Sequence, residues 1–171
     1  DMIIGEENGG WRLITEQLNH ERVGLAAWGI QGWKIFRAAL EWARNTKNAD
    51  GQRVIDDPLT QRNLAEVYAH LEAMRVMNAR MSWQLDQQKM DPVFPSAIKV
   101  YSTEIMLEIC RILMDVVGPH ALIAAGSPGA VLHGDLEHEY RRATISTFGG
   151  GVVEVLRGLV ATHGLGMPSH R

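Results

Sequence analysis

Apolar positions recur at steps of three and four along most of the chain, the spacing that lines one face of an α-helix. From about Gly10 to Arg44 the stripe runs Ile14, Leu18, Leu25, Trp28, Ile35, Ala39, Trp42, and its two members that are not apolar are Glu21 and Gly32. The stretch NTKNADGQRVIDD then interrupts the pattern with Asn, Asp and Gly and reads as a loop. Asp57-Pro58 has the form of an N-cap followed by proline at the first helical position. A second stripe over Pro58 to Lys89 runs Leu64, Val67, Leu71, Met74, Met81, Leu85, with Asn78 as its polar member. Pro92 and Pro95 separate it from a third helix, Ser96 to Val117, with Ile98, Tyr101, Ile105, Ile109, Ile112 and Val116 facing inward.

A Gly/Pro/His-rich connection covers Gly118 to Gly134. It leads into a short helical patch from Asp135 to Ala143, a glycine run at 149–151 and a last helix from about Val152 to His163. No glycine occurs between Gly51 and Gly118, which leaves room for long uninterrupted elements. Three long helices and one shorter helix, with short links and no alternating strands, predict an all-α antiparallel four-helix bundle, a single domain over residues 1–171. At about 1.5 Å per residue the second helix would be roughly 45 Å long, and such length usually packs against another domain or subunit.

Composition narrows the classes. The 171 residues carry a net charge of −3, with no basic excess to neutralise phosphates, so a nucleic-acid partner is not expected. A lone cysteine, Cys110, forms no internal disulfide and points to a reducing, cytoplasmic setting. No apolar run approaches the ~18 to 20 residues that span a bilayer, and no membrane association is expected. The chain opens on Asp1 rather than methionine and is expected to be the C-terminal fragment of a longer protein.

Chemistry is sparse. A di-iron bundle needs Glu-x-x-His on two helices, yet Glu16/His20 and Glu66/His70 stand four apart and have no matching motif, so no metal site is expected. Cys110 sits mid-helix in ICRIL, where a buried, inert thiol is the expected state. Gly149, Gly150 and Gly151 directly precede a helix; they suit either a phosphate or ring edge against free amides, or simply a tight turn. Glu21 falls in register with the inward stripe. It is either a desolvated general base or half of a salt bridge with Arg22 or another arginine.

The opening GEENGGWRLITEQLNHERVGLAAWGIQG resembles the start of the C-terminal helical domain of acyl-CoA dehydrogenases, with its "GE-x-x-x-GW" turn and helical "ER" pair. The closing ATISTFGGGVVEVLRGLVATHGLGMP resembles that family's glycine turn followed by "Glu-hydrophobic-x-Arg", and both segments are similar to actinobacterial members. The resemblance implies an FAD flavoenzyme that oxidises an acyl-CoA thioester to a trans-2-enoyl-CoA and passes its electrons to electron-transfer flavoprotein. It puts the usual base at Gly150, which has no acid, and the alternative base at Glu21, with Arg22 beside it as a substrate contact. Arg44, Gly118 and Gly149–Gly151 correspond to flavin-contacting positions, although the loop after Arg44 and the segment around Gly118 depart from the family pattern. The long apolar faces imply an oligomer, either a homo-oligomer or, given those departures, a heteromer with a second acyl-CoA dehydrogenase subunit. The alternative, in which the missing acid at Gly150 is the signal and Glu21 is structural, is a non-catalytic subunit or oligomerisation module.

Overall fold

A computed structural model describes residues 3–24, 27–89 and 91–169, and among these the chain is helical, with one isolated bridge between Lys47 and Arg53. The main helices are α1 (Gly10–Gly24), α2 (Ala27–Asn45), α3 (Pro58–Asp86), α4 (Phe94–Val117), α5 (Asp135–Ser146) and α6 (Val153–Leu159). The periodicity predicts one helix over Gly10–Arg44; α1 and α2 occupy that span on either side of Leu25 and Ala26, which lie outside the described residues. The side chains of Arg22 and Trp28 lie outside them too.

Start signals act as expected. The Asp57 carboxylate accepts from Thr60 N–H at 2.8 Å, with Pro58 opening α3. Pro95, read as a separator, instead lies inside the first turn of α4, which begins at Phe94, two residues earlier than the spacing predicts. The last helix is split: α6 is regular to Leu159, and Val160–Gly164 widens into a π-type turn.

Helix α4 is the central element, packed against α2, α3, α5 and α6. Ile98, Ile109, Ile112 and Val116 are buried as predicted, while Tyr101 and Ile105 are only half-buried. Met106, Cys110 and Leu113 are fully buried instead, on a second face. A helix enclosed on several sides is apolar nearly all round, and a single stripe understates it. Each such side chain stabilises the fold by about 1.5–3 kcal/mol.

Helix α3 supplies Leu64, Val67, Leu71, Met74 and Met81, all buried, and α2 supplies Ile35, Ala39 and Ala43. Gly32 explains the close approach of these three helices. A Cβ there would stand 2.6 Å from Leu71 Cδ2 and 3.4 Å from Met106 Sδ, so any side chain would push them apart. Trp33 lies edge-on to Phe36 and Tyr68 at 5.7 and 5.5 Å, forming an aromatic corner between α2 and α3.

Candidate active site

The glycine run forms a turn between α5 and α6. Its first half is held by Phe148 and Gly149 N–H groups donating to Ile145 C=O, at 3.3 and 3.1 Å. Val153 N–H closes it by donating to Thr147 C=O at 3.1 Å. Gly150 and Gly151 have φ of +70° and +114°, a backbone region that side chains disfavour, so the glycines are required by conformation.

Beneath the turn lies a residue that the helical pattern does not single out. Lys99 of α4 is 0% exposed, and its Nζ donates to Thr147 C=O at 3.1 Å and to Gly151 C=O at 2.6 Å. The helical pattern carries no signal for it, since a lysine reads as a surface residue wherever it falls.

Glu21 is exposed, contrary to the inward position its register suggests. Helical phase gives a direction; here no described part of the chain covers that direction. Its carboxylate nevertheless approaches the turn: a Cβ built on Gly150 would lie 3.9 Å from Glu21 Oε1. The two sequence-distant positions, 21 and 150, therefore meet at one point. Next to the turn, Arg157 of α6 donates to Glu104 of α4 at 2.6 Å. Both residues border an open pocket of about 350 Å³ that Ala97, Val100, Tyr101 and Val160 also line.

The positions suggested for a cofactor do not form one group. Gly149, Gly150 and Gly151 lie over Lys99, near the start of α4. Arg44 and Gly118 close the opposite end: α2 and α4 both run antiparallel to α3 and so in the same direction. Gly32 and Met106 stand level, and Arg44 and Gly118 each lie 12 residues further on (44 − 32 and 118 − 106). From Lys99 to Gly118 is 19 residues (118 − 99), about 28 Å along α4. Arg44 is exposed, and nothing lies within 4 Å of a Cβ built on Gly118, whose φ is +71°.

Other titratable groups are occupied elsewhere. Burial pushes the Cys110 thiol up to about 12, which leaves almost no thiolate near neutral pH. Burial also raises the Tyr101 phenol, whose oxygen lies 3.3 Å from His70 Nδ1.

A family model described as "Acyl-CoA dehydrogenase, C-terminal domain" matches residues 8–165. The chain is 42% identical to "Acyl-CoA dehydrogenase FadE26" of Mycobacterium tuberculosis, over 96% of this chain and 42% of that protein. Among solved structures it resembles a chain of the ChsE4–ChsE5 complex from Mycobacterium tuberculosis, with a TM-score of 0.88 and 43% identity over 97% of this chain and 43% of the other. It also resembles a chain of the Tcur3481–Tcur3483 steroid ACAD, with a TM-score of 0.89 and 44% identity over 97% of this chain and 42% of the other. The chain thus spans less than half the length of the relatives it matches.

Proposed function

Because this chain belongs to the acyl-CoA dehydrogenase family, as its C-terminal helical domain, we propose that it carries the proton-removing base of an acyl-CoA α,β-dehydrogenation, and that Glu21 is that base. One observation supports the assignment above others. The Glu21 carboxylate stands 3.9 Å from where a side chain at Gly150 would begin, so an acid from either family position would act on the same space. The α-proton and β-hydride leave opposite faces of one C–C bond, which demands a base held at a single point. The exposure of Glu21 is then the open side of a site that the remainder of the protein closes.

The family is FAD-dependent, and a bound flavin would supply the hydride acceptor. The residues here fit it as two separate walls. Exposed Arg44 and the open space at Gly118 suit the phosphate end, and the bare turn at Gly149–Gly151 suits a flat ring edge. With about 28 Å between them, the two walls serve different flavins of an oligomer or different parts of one. Arg22 follows Glu21 directly and is proposed as a thioester or CoA contact.

The likeness to a steroid ACAD motivates the substrate class, an acyl-CoA whose acyl group is joined to a steroid skeleton. The likeness to a chain of a two-component complex motivates a second, related subunit as partner. Electron-transfer flavoprotein is the proposed acceptor and the cytoplasm the proposed location; no helix among the described residues is long and apolar enough to cross a membrane. The exposure of Glu21 is also the observation that favours a second reading, a non-catalytic subunit in which Glu21 is structural.

Glu21→Gln decides between them. In the full-length, flavin-loaded protein with any partner subunit, the substitution preserves shape and removes the basic site. Anaerobic flavin bleaching by acyl-CoA should slow by about 10²- to 10⁴-fold with flavin content unchanged. Bleaching within a few-fold of the native rate would assign this chain to the non-catalytic role.

A further inference from the structure

A buried ammonium carries a desolvation cost that a surface lysine never meets, so Lys99 has to be offset by strong interactions at its head. Its charge-assisted bonds to Thr147 and Gly151 C=O contribute to this, and the choice of these acceptors is informative. They bracket residues 148–150, so one cation grips both ends of the glycine turn. A run of three glycines samples left-handed and extended backbone with little preference. Something outside the run must select the observed φ values of +70° at Gly150 and +114° at Gly151. Gly150 is also the residue whose missing side chain would touch the Glu21 carboxylate.

We infer that Lys99 is a positioning residue: its ammonium pins the glycine turn and thereby fixes the surface against which Glu21 works. The inference rests on the reading of Glu21 as the base, and it adds a part for a residue with no contact to substrate. Its removal should loosen the turn without unfolding the domain. Helix α6 keeps its own attachments to α4, through the Arg157–Glu104 pair and through buried Val153 and Leu156.

The test uses Lys99→Met, which keeps the length of the stem and removes the charge, in the full-length, flavin-loaded protein with any partner subunit. Amide hydrogen exchange followed by mass spectrometry should rise at least about tenfold over residues 147–153 and stay unchanged in α3. Exchange of the acyl-CoA α-proton with D2O should fall about 10- to 100-fold, the scale of an ångström-level misplacement, with acyl-CoA affinity within about threefold. Lys99→Arg, which keeps a cationic donor, should recover part of both. Native amide exchange at the turn in Lys99→Met would overturn the anchoring. A loosened turn with native α-proton exchange would overturn the positioning. If Lys99→Met loses protection in α3 as well, Lys99→Gln replaces it under the same criteria. Glu21→Gln is measured alongside: α-proton exchange surviving there refutes the reading of Glu21, and the turn's amide exchange then decides the anchoring alone.

Discussion

The α2–α3–α4 seam and the flank formed by α1, the glycine turn and α6 are built from similar apolar residues but finish differently. In the seam Val67, Leu71, Met74, Met106, Ile109 and Leu113 are all 0% exposed. On the flank Trp11, Phe148, Val155 and Leu159 are 81%, 58%, 62% and 38% exposed. The seam's inner faces close within this chain where Gly32 meets Leu71, while Ile30, Val76 and Trp83 stay exposed on the outer sides of α2 and α3. The flank leaves these large apolar groups exposed and also carries the exposed Glu21 carboxylate, features of a surface that meets something else. Stability and the proposed catalytic base thus belong to different regions, with α4 joining them: its inner faces fill the seam and its Lys99 reaches under the turn.

Substitutions should separate the two regions sharply. Leu71→Ala removes a fully buried side chain that also packs against Gly32, and should destabilise by about 2–5 kcal/mol in chemical denaturation. A loss below about 1 kcal/mol would mean that the seam is not the core. On the flank, Val155→Ser should change stability by no more than about 0.5 kcal/mol. If α6 lies on the surface that meets the proposed second subunit, the substitution should nevertheless weaken that assembly, seen as a shift toward smaller species in sedimentation velocity. An unchanged sedimentation profile would remove α6 from the association surface.

The same contrast explains what the sequence made legible. In helix α3 the stripe Leu64, Val67, Leu71, Met74 and Met81, the Asp57 cap and the Pro58 start are all read correctly, although Leu59, Tyr68, Val76 and Trp83 leave apolar groups on its outer side and Leu85 is only half-buried. In α4, apolar residues on several faces blur the phase, and Met106, Cys110 and Leu113 escape a single-stripe reading. Lys99 is missed for a related reason: a hydrophobic–polar code assigns every lysine to the surface, and only a three-dimensional acceptor pair reverses that. Glu21 fails in the opposite direction, since periodicity says where a residue points but not what covers it. Nor does spacing along the chain reveal that Arg44 and Gly118 share one end of the bundle while Gly149–Gly151 sit at the other.

The central claim is that positions 21 and 150 serve the same reacting point, and moving the acid tests it most directly. Glu21→Gln combined with Gly150→Glu transfers the carboxylate across the 3.9 Å gap, at a conformational cost of about 1–2 kcal/mol for a side chain at positive φ. In the full-length, flavin-loaded protein the double variant should recover α-proton exchange by at least about tenfold over Glu21→Gln alone. No recovery, in a double variant whose flavin content and melting temperature match those of Glu21→Gln, would contradict the shared point and with it the assignment of Glu21.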